Sequence, residues 1–248
     1  MKPYTQDFYS TRHQRTVYSA KTILSLILDK IPPLNSAVDV GCGVGTWLAV
    51  LKTDKGVETI QGMDGNWVDE KLLEIPKDSF QRADLSQPFE LSRRFDLAIC
   101  LEVAEHLPPV RAKDFVCSLT ALSDCVLFSA AIPFQGGKNH VNEQWHSYWI
   151  ELFTAQGYLA YDCIRAEIWN DDQIPFWYRQ NILFFARKEI AVEIKATPLN
   201  AVNGVLPLLA VHPDLYLSKI YEAKSIQGSL WLFIGAIKDA VKQSLKRN

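Results

Sequence analysis

A chain of 248 residues, 48% hydrophobic and with a formal net charge of -2, can bury a full core as one α/β domain with extensions. Its 26 basic residues are scattered except near the C-terminus and are not interleaved with aromatics, so no nucleic-acid partner is expected. Five cysteines (Cys42, Cys100, Cys117, Cys125, Cys163) lack CxxC spacing, no secretory signal is evident, and no apolar run approaches the ~20 residues of a membrane span. These features read as a cytoplasmic protein with reduced core thiols.

Residues 1–35 precede the first strand, and Ser19 to Leu28 reads as an amphipathic helix that stops before Ile31-Pro32-Pro33. The run Val38-Asp39-Val40-Gly41-Cys42-Gly43-Val44-Gly45-Thr46-Trp47-Leu48 is a buried strand ending in a glycine loop that opens a helix. Glycines there allow a tight turn and a close approach of ligand to backbone, as a nucleotide-like cofactor needs. A dinucleotide fingerprint would put its third glycine where Thr46 stands. Glu58 to Asp64 reads as a second strand, and its terminal Asp64, 19 residues beyond Gly45, has the spacing of an acid that binds ribose hydroxyls. Gln81-Arg82-Ala83-Asp84-Leu85 follows, and then Phe95 to Leu101 forms a strand running into Glu102-Val103-Ala104-Glu105-His106.

Taken in order, the acid-preceded GxGxG, the acid after strand two, the Ala83-Asp84 pair and ExxEH resemble the class I S-adenosylmethionine (SAM)-dependent methyltransferases across residues 38–107. The resemblance implies SAM as cofactor, a Rossmann-like α/β fold, and leading helices used as a cover over the cofactor. It assigns cofactor contacts to Asp39, Gly41, Cys42, Gly43, Gly45, Asp64, Ala83, Asp84, Leu101 and Glu102. Asp64 would hold the ribose, Asp84 the adenine amino group, the backbone of Ala83 would donate to adenine, and Glu102 would face the methionine portion. Asp64 and Asp84 can also be read as solvated turn acids. On a helix, Glu102 would share a face with Glu105 or His106 and could bind a divalent ion; the same residues also read as helix-terminal acids and a backbone-bonded histidine. No metal is assigned from the sequence.

Further strands are expected at Cys125 to Ala131, near Leu159 to Ile168, and at Asn181 to Arg187. Alternation with helices implies a mostly parallel seven-stranded sheet with helices on both faces. The turn-rich segment Asn170 to Gln180 is too short for a crossover, so the last strand should run antiparallel. Ligands of such sheets bind outside the carboxyl ends of the strands, which places the loop Ile132 to Trp149 on the crevice. Its HVNEQW run resembles bacterial methyltransferases encoded among glycan-assembly enzymes. Within the loop His140 is the candidate general base and Glu143 its orienting partner; alternatively His140 and His146 only anchor the loop to backbone carbonyls.

The organisation expected is therefore a helical cap over 1–35, a SAM-binding core over 36–188 and an extension over 189–248. In the extension, Ser229 to Lys246 reads as an amphipathic helix with a basic end, suited to docking on the core or a second subunit, or to peripheral membrane contact. The activity expected is O-methylation of a small-molecule or glycan hydroxyl by a monomer or homodimer. The alternatives are a quinone, phenol or small-carboxylate acceptor, and a non-catalytic SAM-binding subunit.

Overall fold

The computed structural model describes residues 6–199 and 208–224, with residues 229 and 233. Seven strands form: β1 (Ser36–Val40), β2 (Thr59–Asp64), β3 (Phe80–Arg82), β4 (Leu97–Leu101), β5 (Cys125–Ser129), β6 (Tyr158–Tyr161) and β7 (Leu183–Arg187). Among them lie the helices α1 (Gln6–Leu28), α2 (Thr46–Lys55), α3 (Ala112–Leu122), α4 (His146–Ala155), α5 (Arg165–Ile168), α6 (Phe176–Asn181) and α7 (Pro213–Lys224). The sheet order is β3-β2-β1-β4-β5-β7-β6, parallel except for β7, which runs antiparallel to both its neighbours.

Every residue of β1 and β5 is buried, because a parallel sheet between two helical layers has no wet face. Alternate side chains then define the layers. Ala37, Leu97, Ile99, Leu127 and Phe184 meet Ile23, Leu24 and Ile27 of α1 and Leu48 and Leu51 of α2. Val38, Ala98, Val126, Phe128 and Phe185 meet Phe115 and Leu119 of α3 and Trp149 and Phe153 of α4. Each such aliphatic or aromatic side chain contributes roughly 1.5–3 kcal/mol on burial. The chain leaves β1 toward α2 on one face and β4 toward α3 on the other. This reversal opens a crevice at the carboxyl ends of β1 and β4.

Three expectations are corrected at the level of elements. The first helix begins at Gln6, well before Ser19. The sixth strand ends at Tyr161, and Arg165–Ile168 is a helical turn whose Arg165, fully buried, is paired with Asp162 and bonded to the carbonyl of Gln180. The segment 170–180 is not turn alone, since α6 lies at its end.

Contact density divides the chain into residues 1–210 and 211–248. In the second unit, Pro213 opens α7 at the position where a missing N–H costs nothing, and Asp214 sits in the first turn. The amphipathic helix expected over 229–246 lies almost wholly outside the described residues. No helix among the described residues is long and apolar enough to cross a membrane.

Candidate active site

The glycine loop is pinned from below. The N–H groups of Gly41 and Cys42 both donate to the carbonyl of Met63 at the end of β2, at 2.7 and 3.1 Å. Gly41 has φ +84°, and a Cβ on it would stand 2.2 Å from Val103 Cγ2. Only glycine fits a left-handed residue pressed against a neighbour in this way. Gly43, at φ +55°, differs: a Cβ there would meet nothing within 4 Å, so the loop is open at that point.

Asp64 terminates β2 and turns into the loop, its carboxylate accepting from Gly43 N at 2.7 Å and Gly65 N at 2.6 Å. It is a buried acid with a structural task, not a solvated turn residue. Asp39 on β1 is 3% exposed, and burial first, then the charge of Asp64, hold its carboxyl well above the usual range. Two buried acids face each other beside the open loop. Cys42 lies within this loop, and Leu101 ends β4 at half-burial.

Asp84 is exposed and closes a local turn by accepting from the N–H and hydroxyl of Ser86, which holds its carboxyl below the usual range. One expected contact is corrected: the Ala83 N–H already donates to the Asp64 carbonyl at 2.8 Å in extension of the β2–β3 ladder, so it is not available to adenine.

Past β4 the chain does not form the expected helix. Glu102 sits at φ +57°, its N–H donating to the carbonyl and hydroxyl of Ser129, and Ala104–His106 is a single 3-10 turn. A non-glycine residue in the left-handed region costs of order 1 kcal/mol, and strain of this kind concentrates at functional sites. The Glu102 carboxylate is gripped by Asn181 Nδ2 at 3.1 and 3.3 Å and Gln135 Nε2 at 3.3 Å, while Gln180 Nε2 braces both Gln135 and Asn181. Burial raises the Glu102 carboxyl above its usual range even against these donors. Glu102 therefore anchors a buried amide network as well as lining the crevice.

Glu105, fully buried, has neither carboxyl oxygen hydrogen-bonded, and burial first, then Glu102, pushes it up to about 9. Its backbone carbonyl receives the N–H groups of Val141 and Asn142, which draws the 132–149 loop back over the turn. His140 is thereby brought edge-to-face onto His106, with ring centroids 4.8 Å apart. The expected pairing of His140 with Glu143 forms at 2.9 Å, without a helical turn: Glu143 Oε1 also takes the Gly136 N–H at 2.6 Å, so the loop folds around one carboxylate. Gly137 makes room for the ring, since a Cβ there would stand 2.1 Å from His140 Nε2. His146 does anchor as the alternative reading held, bonding the Gln180 carbonyl at 3.0 Å, and burial followed by Arg165 lowers it to about 3.

Several participants carried no signal in the sequence. Glu74 receives Thr46 Oγ1 at 3.1 Å and His13 Nδ1 at 3.2 Å, joining α1 to the first residue of α2. Arg15 donates to the carbonyls of Asp172 and Gln173, and Tyr18 to Asp171. Gln135, Gln180 and Asn181 are single amides far apart in sequence, and only the fold gathers them.

A methyltransferase-domain family matches residues 11–159. No curated protein matches the chain in sequence. Among solved structures it is similar to magnesium protoporphyrin IX methyltransferase of Synechocystis, crystallised with S-adenosylhomocysteine, at 21% identity and TM-score 0.51, covering 74% of this chain and 86% of that one. Streptomyces venezuelae DesVI matches at 15% identity and TM-score 0.53, covering 73% of this chain and 95% of that one. An O-methyltransferase family protein of Burkholderia thailandensis matches at 14% identity and TM-score 0.55, covering 73% and 57%. At these identities the likeness is one of fold.

Proposed function

The chain belongs to the methyltransferase-domain family, and from that premise we propose that it transfers the methyl group of SAM to a hydroxyl oxygen of a small-molecule or glycan-linked acceptor. The observations that carry the reading are an open glycine loop flanked by two buried acids, after β1, and a histidine oriented by a carboxylate in the loop after β5, both at the carboxyl ends of the sheet.

The residues fit the cofactor. SAM bears a sulfonium and an ammonium group, and Asp39 beside Asp64 is a buried pair of acids that lacks a cationic partner among the described residues. Gly41, Cys42, Gly43 and Gly45 would cradle it, Asp64 the ribose, Asp84 the adenine, and Leu101 with Glu102 the rim near the methionine portion. When bound, SAM supplies an activated methyl group for in-line displacement. The protein's share is alignment and exclusion of water. His140, with Glu143 on Nδ1, is the side chain at the acceptor oxygen; its remaining lone pair can take the proton or hold a cation that acidifies it.

An acceptor with flat apolar faces and several hydroxyls suits a loop that exposes Phe134, Val141 and Trp145 around these polar groups. The net charge of -2 disfavours nucleic acid. Calorimetry with SAM, followed by S-adenosylhomocysteine release across sugars, nucleotide sugars and phenols, tests the proposal. Asp64→Ala and Asp84→Ala should each weaken SAM binding by ~1–3 kcal/mol, as for a hydrogen-bond partner lost to the bound cofactor. Saturable NADH binding with none for SAM overturns the cofactor, and SAM binding with no turnover on any acceptor class leaves a non-catalytic subunit.

A further inference from the structure

We propose that Glu105, His106 and His140 form a binding site for one divalent first-row transition-metal ion on the acceptor side of the crevice. One carboxylate oxygen and one ring nitrogen of each histidine lie within 4.8 Å of one another. Sequence spacing alone had grouped Glu102 with Glu105 or His106 on a helical face. The structure instead brings in His140 from 34 residues further along the chain.

Two features point to a ligand. Glu105 is fully buried and neither carboxyl oxygen makes a well-formed hydrogen bond, with only the Glu102 carboxyl and the backbone of Glu105 and Ala131 close to it, an arrangement that a bound cation would relieve. Both histidines have an oxygen on Nδ1: the Asn139 carbonyl at 3.3 Å from His106, and Glu143 Oε1 at 2.9 Å from His140. With Nδ1–H donated, Nε2 of each ring carries the lone pair, and a carbonyl or carboxylate on the other nitrogen is how metal-bound imidazoles are held.

Two imidazoles and one carboxylate suit Zn2+, Mn2+, Fe2+ or Co2+ better than Mg2+ or Ca2+, which prefer oxygen donors. Three protein ligands leave coordination positions for water or an acceptor hydroxyl. An oxygen bound there is acidified and sheds its proton to solvent, so no side-chain base is required and His140 acts as a ligand. This rests on the reading of the crevice as the acceptor side.

The test uses the full chain freed of metal by chelation and titrated with Co2+, followed by the visible absorption of the bound ion, and with Zn2+ by calorimetry. One equivalent should bind. His106→Ala, at an exposed ring, and Glu105→Gln should each weaken binding at least ~10–100-fold. If Glu105→Gln alters the circular dichroism spectrum, the His106→Ala and His140→Ala titrations decide. Absence of saturable binding, or His106→Ala and His140→Ala binding as tightly as the parent, overturns the proposal. SAM affinity measured on the same samples separates the two readings: metal binding without SAM binding sinks the methyltransferase reading alone, and SAM binding without metal binding sinks only this one.

Discussion

Replacing Asp39 by asparagine should stabilise the free protein and weaken its cofactor. Asp39 is 3% exposed and faces a second buried acid, Asp64, so its carboxyl is held well above the usual range by burial and by that charge. Each unit of such a shift is about 1.4 kcal/mol of folding free energy withheld once the pH passes the folded-state value. The sign follows from linkage. A carboxyl raised in the folded state costs nothing below its unfolded pKa of about 3.8, and its cost grows as pH rises from there toward the folded value. The asparagine amide is isosteric and uncharged, so Asp39→Asn should raise Tm at pH 7.5, by about 2–4 °C for each kcal/mol recovered, and change it much less near pH 4. The same variant loses a charge that the cofactor's cationic groups would meet, so SAM affinity should fall about 10–150-fold, the equivalent of one charge-assisted hydrogen bond. Scanning calorimetry at the two pH values and isothermal titration with SAM measure both. A lower Tm at pH 7.5, or unchanged SAM affinity, would refute the reasoning.

Gly137→Ala places a methyl 2.1 Å from His140 Nε2 and must turn the ring away from Glu143, so turnover should drop about 100-fold while SAM affinity, measured by titration, stays unchanged. His146, lowered to about 3 from its usual 6.5, is neutral when folded; its contribution is complete above pH 6.5 and is lost as pH falls toward 3, by about 1.4 kcal/mol per pH unit. Urea unfolding at stepped pH should show that acid slope, reduced in His146→Gln, and an equal slope in the variant counts against it.

The glycine loop, the acid after β2 and the placing of the 132–149 loop were legible because each depends on local chemistry. Positive φ demands glycine at Gly41, and apolar runs bounded by turn residues demand strands; β7 is antiparallel as expected, but the link before it carries α5 and α6, so shortness is not the reason. What was not legible depends on convergence. ExxEH has helical spacing, yet the Glu102 N–H goes to Ser129, a residue 27 positions away, and Glu102 turns left-handed before a single 3-10 turn. Ala83 matched a motif, but its N–H was claimed by the sheet. His140 and Glu143 paired for a reason the spacing did not give, because Glu143 also captures Gly136 and folds the loop around itself.

Four buried or half-buried acids, Asp39, Asp64, Glu102 and Glu105, gather around Cys100, and among the described residues no lysine or arginine is paired with any of them. A pocket selected for stability alone would have neutralised or hydrated them. Their distribution sorts by chemistry: Asp64 and Glu102 spend their oxygens on N–H donors that shape the loop and the amide network, while Asp39 receives none and Glu105 makes no well-formed hydrogen bond. Positive charge arriving with a sulfonium cofactor answers the first, and a metal ion on the acceptor side answers the second. Each ligand should therefore stabilise the fold by linkage, about 2.7 kcal/mol at a hundredfold excess over its Kd, through groups that the free protein holds at a cost.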